Sequence, residues 1–298
     1  MQETVALLRE SFVQDALKAA IMVALLCSFL GVFVVLKRIV FVGAALSEVA
    51  SLGSALAFSP PALWLLERLT VTSPVLAPLE HYKPMVMALT LMLLAVAFFS
   101  QNWFGRRIPR EAIIGTVFAG AAGLTVLILS KVPNHEQHGM DMLNGNILGV
   151  EAQELTELLV TGGIIGLIQL LFHKEFVLVS FDPEVAETMG YRSSRWELLW
   201  YLCLGVSIAV SIHVAGTVLV FAYLVLPAVI ALLLSRRMGQ VLILSVFFAI
   251  LATVVGVVLS VSPLDVPTSP TIVGCLVAMY LVVWLGRWLS GLVFRRNE

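Results

Sequence analysis

The sequence predicts an all-α fold, a polytopic transmembrane bundle of about 8–9 spans with its N-terminus outside and its C-terminus cytoplasmic. Two observations about composition point there first. Hydrophobic residues make up 60% and charged residues 12% of the 298 residues, against roughly 45–50% and about 25% in soluble domains. Mean hydropathy is +1.00, so lipid is the solvent for most of the chain. The third observation is spacing: apolar runs of about 20 residues, the length a bilayer core requires of a helix, recur from end to end. Residues 1–298 read as a single transmembrane domain. A net charge of -1 supplies no basic surface for nucleic acid.

The first run covers residues 16–36. Acidic Glu3, Glu10 and Asp15 precede it, where a cleavable signal peptide would carry basic residues, so this span is expected to remain as an anchor. The second run, 43–66, holds an ionisable group. Glu48 has Ala44, Ser47, Ser51, Leu52 and Ala55 around it at helical spacing. A carboxylate inside a span is costly unless it faces a cavity, a partner or water. Glu48 could therefore bind a cation transiently, or reach water about a turn and a half into its helix.

Runs at 84–100 and 112–130 follow. Small residues repeat every four positions at Gly115, Ala119 and Gly123, as they do at Gly162 and Gly166 and at Gly43, Ser47, Ser51 and Ala55. Such rows let helix backbones approach closely in lipid. An external loop carries His135, Glu136, His138, Met140, Asp141 and Met142. Its histidines lie three apart beside Pro133 and Gly139, unlike the helical HExxH of a metalloprotease. It reads as a polar connector.

The run at 155–172 leads into a polar stretch, Phe181-Asp-Pro-Glu184 through Gly190. Asp182 suits an N-cap, Pro183 the first helical position and Glu184 the positive end of a helix dipole. Gly190 can take the left-handed conformation that closes a helix. A short polar helix is predicted here, about two turns long, and a helix that short needs something to hold it. Runs at 198–212 and 217–234 are joined by His213-Val-Ala-Gly216, so one of them could be a broken piece. His213 can serve as a metal ligand or as a hydrogen-bonded structural residue. Runs at 241–261 and 271–289 complete the nine. Cys27, Cys203 and Cys275 each lie within apolar runs, with no CxxC spacing, and read as small hydrophobes.

Basic residues set the orientation. With the N-terminus outside and an odd number of spans, most of the 18 basic residues fall on one side. They are Lys37, Arg38, Arg106, Arg107, Arg110, Lys174, Arg192, Arg195, Arg236, Arg237, Arg287, Arg295 and Arg296. The positive-inside rule makes that side cytoplasmic, and the polar helix lies on it. No GxxxxGK[ST] phosphate loop and no Gly-x-Ser-x-Gly elbow occur. The chain is expected to hydrolyse nothing itself and to draw energy from another subunit or an ion gradient.

The order of these segments resembles the membrane permeases of bacterial zinc, manganese and iron ABC importers, the ABC-3 type. The residues that carry the resemblance are Ser28-Phe-Leu-Gly-Val-Phe-Val-Val-Leu36, Phe41-Val-Gly-Ala-Ala-Leu-Ser47, Leu143-Asn-Gly-Asn-Ile-Leu148 and Phe181-Asp-Pro-Glu184. Val214-Ala-Gly-Thr-Val-Leu-Val220, Leu226-Pro-Ala228 and Asp265-Val-Pro-Thr-Ser-Pro270 continue it. The resemblance implies a homodimer in the bacterial inner membrane, a cytoplasmic ABC ATPase as partner and an external solute-binding protein. No permanent cofactor is implied, only a divalent metal ion as cargo. Asp182, Pro183, Glu184, Ala186, Glu187 and Gly190 would then belong to a coupling helix that docks into the ATPase. Ser47, Glu48, Ser51 and His213 would line the translocation path, with Glu48 and His213 as its metal ligands. Family members carry Gly-Asp-Ala-Leu-Ser-His-Ala where this chain has Gly43-Ala-Ala-Leu-Ser-Glu-Val49. One carboxylate thus replaces a carboxylate and an imidazole. Zinc favours nitrogen and sulfur ligands while manganese accepts oxygen more readily, so the change counts against zinc without choosing between manganese and iron. The reading from a different class is a secondary transporter driven by an ion gradient through Glu48.

Overall fold

The computed structural model describes residues 10–57, 83–100, 109–130, 147–181, 183–261 and 266–295. Among these residues every regular element is helical. In chain order they are α1 (Ser11–Leu36), α2 (Val40–Ala57), α3 (Lys83–Ser100), α4 (Arg110–Leu129), a 3-10 turn (Ile147–Gly149), α5 (Ala152–Leu171) and α6 (His173–Phe181). Then come α7 (Pro183–Thr188), α8 (Ser193–Ala215), α9 (Thr217–Leu234), α10 (Met238–Ser260) and α11 (Thr268–Arg295). Eight of the described helices are long and apolar enough to cross a membrane, and the apolar stretch of α3, Val86–Phe99, is shorter. Each of the nine predicted runs overlaps one of these helices, with residues 58–66 of the second run outside the described residues.

Local chemistry sets several helix ends. Pro109 precedes α4, with Glu111 in its first turn. A reciprocal capping box opens α5: the Glu151 N–H donates to the Glu154 carboxylate at 3.2 Å, and the Glu151 side chain accepts from the backbone of Glu154. At the end of α1, the Arg38 N–H donates to the Val35 carbonyl at 3.1 Å and the Ile39 N–H to the Val34 carbonyl at 3.2 Å. Arg38 takes φ +56, a left-handed conformation in a residue that is not glycine. Three residues, Lys37 to Ile39, are all that separate α1 from α2.

Two expectations change. The junction at Gly216 (φ +79) does not shorten its helices, because α8 has 23 residues and α9 has 18. His213 accordingly belongs to the last turn of α8 rather than to a linker. The small-residue rows also behave differently from one another. Gly43, Ser47, Ser51 and Ala55 are all buried, and Gly162 faces Leu26 and Met22 of α1. Ala119, by contrast, is exposed, and among the described residues nothing lies within 4 Å of a Cβ built at Gly115 or Gly123. That row does not pack within this chain's described residues.

The core runs along α1, which packs against α5, α8, α9 and α10. Val23, Leu30 and Phe33 of α1 are fully buried with Leu204 of α8 and Leu219 and Tyr223 of α9. Hydrogen bonds between helices join this body. The Ser245 hydroxyl of α10 donates to the Ser28 carbonyl of α1 at 3.0 Å, and the Ser269 hydroxyl of α11 to the Ala215 carbonyl of α8 at 3.1 Å. The Tyr223 and Thr253 hydroxyls pair between α9 and α10, and Cys27 Sγ of α1 meets the Ser211 hydroxyl of α8 at 3.8 Å. Elsewhere α2 lies so close to α3 that a Cβ on Gly53 would sit 2.5 Å from the Ala88 Cα, so only glycine fits there. Leu127, Leu170 and Val282 are among the large apolar side chains exposed on α4, α5 and α11. Lipid is the solvent such surfaces require.

These contacts also sort the two ends of the bundle. Lys37 Nζ lies 4.5 Å above the Trp200 ring, and Phe172 lies against Trp196, so the end of α1, the α5–α6 junction and the start of α8 meet at one end. The Ser245–Ser28 bond brings the start of α10 there as well. Lys37, Arg38, Lys174, Arg192, Arg195, Arg236 and Arg237 therefore share an end with α7. The Ser269–Ala215 bond marks the other end.

Candidate functional site

Three places carry the described residues singled out from sequence: one face of α2, α7 with its flanks, and His213 in the last turn of α8. On α2 the buried positions include Val42, Gly43, Leu46, Ser47, Val49, Ser51 and Leu52. Phe41, Ala44 and Glu48, spaced at i, i+3 and i+7, form the side left partly open. Glu48 is thus half-buried beside Ala44, and no partner for its carboxylate is found among the described residues. The predicted small-residue groove resolves into two faces. Ser47 turns inward and donates to the Ala44 carbonyl at 2.8 Å, while the buried Ser51 hydroxyl has no hydrogen-bond partner among the described residues.

Because α2 begins at Val40, Glu48 lies eight residues into its helix, about 12 Å along the axis. That is deeper than the turn and a half expected from the apolar pattern. His213 stands near the other end of the bundle, thirteen residues beyond Trp200, about 20 Å along α8. The His213 side chain lies outside the described residues. The two candidate metal ligands therefore occupy different depths. Among the described residues no group of three or more His, Cys, Asp or Glu side chains is placed to hold a metal ion. The loop with His135, Glu136, His138 and Asp141 lies outside the described residues.

The polar stretch forms a helix of six residues, Pro183–Thr188, somewhat shorter than predicted. Asp182, the expected N-cap, lies outside the described residues, as do the side chains of Pro183 and Glu184. The closing signal is present in full. The Gly190 N–H donates to the Glu187 carbonyl and the Tyr191 N–H to the Ala186 carbonyl, both at 3.0 Å, with Gly190 at φ +89. This is the paired pattern of a Schellman cap. Ala186 is fully buried, whereas Val185 is 44% and Met189 64% exposed. Glu187 is exposed and accepts from the Ser193 hydroxyl. The short helix thus buries Ala186 against the bundle and offers an apolar and acidic outer face at the basic end.

Sequence reasoning missed the aromatic groups around this helix. Phe172, Phe176 and Tyr191 surround Trp196, and Lys37 covers Trp200. The available signal was a concentration of aromatic residues on both sides of a polar segment, which propensity alone does not flag.

Comparison with known proteins agrees with this architecture. The chain is 30% identical over 276 residues to the chelated iron transport system membrane protein YfeD of Yersinia pestis, covering 92% of this chain and 84% of that protein. It is 28% identical over 267 residues to the manganese transport system membrane protein MntC of Halalkalibacterium halodurans, covering 90% and 84%. Among solved structures, PsaBC from Streptococcus pneumoniae in complex with Fab has a similar fold, with a TM-score of 0.79, 24% identity and 95% of each chain covered. The model of the ABC 3 transport family matches residues 9–287. With nearly its whole length matched, this chain belongs to the ABC 3 transport family.

Proposed function

We propose that the chain is the permease subunit of an ATP-driven importer for divalent transition-metal ions, with manganese or iron(II) favoured over zinc as cargo. The observation that carries this reading is α7, a capped, polar helix held outward at the basic end of a chain with no phosphate loop of its own. A protein that lacks an ATPase site but displays a docking helix has a use for a separate ATPase. That subunit is a cytoplasmic ABC ATPase, and it grips α7 through Val185, Glu187 and Met189. The names of the manganese and iron relatives support the choice of cargo. The half-buried carboxylate of Glu48 adds to it, since manganese accepts oxygen ligands readily.

In this reading the permease is a homodimer in the bacterial inner membrane, with α7 and the C-terminus cytoplasmic. An external solute-binding protein delivers the ion, and the ion passes His213 first and then Glu48, nearer the cytoplasmic end. Closure of the ATPases moves α7, and the bundle changes access by a rigid-body rotation.

Purification with a candidate cassette ATPase tests the reading. Charge reversal at Glu184 and Glu187, or bulk at Gly190, should uncouple ion uptake from ATP hydrolysis while the permease stays folded. Full transport by this chain alone in liposomes without nucleotide would overturn the proposal and favour a gradient-driven carrier.

A further inference from the structure

Three rings from three segments meet on one indole. Phe172, at the α5–α6 junction, lies 5.2 Å from Trp196 between ring centroids; Phe176 of α6 lies at 6.0 Å with planes at 84°, and Tyr191 at 6.3 Å. Trp196 stands in the first turn of α8. Tyr191 is also the residue whose N–H closes α7 on the Ala186 carbonyl. The residue that ends the short helix is therefore the residue that rests on the indole. On its other side, α6 reaches the core: the His173 ring meets Phe29 of α1 edge-on at 6.4 Å. Ring contacts lead from Tyr191, just beyond α7, through Trp196 to Phe172 and Phe176, and α6 meets α1 separately through His173.

We propose that Trp196 is a positioning residue that transmits displacement of α7 into α6, α1 and α8. This rests on the reading of α7 as the helix that an ATPase moves. A helix of six residues does not hold its own shape in water, so what it transmits depends on what grips it. Its other described side-chain tie to α8 is the Ser193–Glu187 hydrogen bond, which is exposed and open to exchange with water. The aromatic cluster is the packed link, and edge-to-face rings resist sliding because their preferred geometry is specific. Without the indole, α7 would still be capped and still be joined to α6 through one residue, but it would lose its packed link to α8 and to the α5–α6 junction.

The test uses the complete complex of permease, ATPase and binding protein in liposomes, with manganese(II) or iron(II) as probe, whichever the unaltered complex carries. Ion uptake per ATP hydrolysed is the readout. In Trp196→Ala that ratio should fall about tenfold or more, while ATPase co-purification and the permease melting temperature stay close to wild type. Trp196→Phe, which keeps a ring, should restore at least about half of it. Tyr191→Ala should lower the ratio by a smaller factor, and carries the test if Trp196→Ala does not fold. An unchanged ratio in the folded alanine variant would overturn the proposal. So would a parallel loss of uptake and hydrolysis that Trp196→Phe fails to rescue, the mark of a merely structural residue. Failure of the unaltered chain to bind any ATPase is a distinct result, and it would overturn the reading of α7 together with this proposal.

Discussion

The two sides of the bundle are held together by different physics. On the side of α1, α8, α9, α10 and α11, side chains bond across helices, as Ser245 does to Ser28, Ser269 to Ala215, and Tyr223 to Thr253. On the side of α2, α3 and α4, the described side-chain hydrogen bonds return to their own helix. Ser47 bonds the Ala44 carbonyl, Thr90 that of Met87, and Thr125 that of Ala121. Close approach at Gly53 joins α2 to α3, and the buried Ser51 hydroxyl has no partner among the described residues. Directional bonds fix a register between helices, whereas a seam of small residues fixes distance and leaves sliding less restrained. Glu48, the ionisable group inside a span, belongs to the side where the hydrogen bonds described for Ser47, Thr90 and Thr125 stay within one helix.

Substitution at the seam should have the largest effect. Gly53→Val puts its branched side chain into the Ala88 backbone and should cost about 3 kcal/mol, seen as a lower melting temperature or loss of folded protein in detergent. If it is tolerated, the two sides do not differ as described. Gly190→Val should strain the cap of α7 by about 1–2 kcal/mol. Its effect should be local, read as faster hydrogen exchange at 183–190 with the rest of the bundle unchanged. Tyr223→Phe removes one cross-helix bond and should cost about 0.6 kcal/mol, a typical value for such bonds in lipid. Ser51→Ala should be neutral or slightly stabilising, because it deletes a buried hydroxyl without a partner. A cost above about 1 kcal/mol there would mean that Ser51 has a partner in the assembled protein and that the α2 side is stitched too. The smallest effect is expected at Gly123→Leu, within about 0.5 kcal/mol in the isolated chain.

Much of this was legible in the sequence. Spans announce themselves because lipid demands long apolar helices, and the described part of each predicted run lies on a helix. The short helix was legible because Pro183 and Gly190 are strong local signals for its start and its end. Which small-residue row packs was not legible: Gly115 and Gly53 both sit in apolar helices, and only their surroundings separate open space from a backbone contact. The depth of Glu48 was misjudged for a related reason. Helix α2 starts at Val40 because Arg38 takes a left-handed conformation, and an arginine gives no hint of that. The Trp196 cluster joins residues on either side of α7, so it emerges only once α5, α6 and α8 are folded together.

The three-residue turn at Lys37, Arg38 and Ile39 has a mechanical consequence. So short a tether holds the first turn of α2 next to the end of α1, and makes that point a pivot. Any swing of α2 must then be smallest at Val40 and grow along its length. At Glu48, about 12 Å from the pivot, a tilt of about 15° would displace the backbone by about 3 Å. That is roughly the difference between a carboxylate touching an ion and one that has let it go.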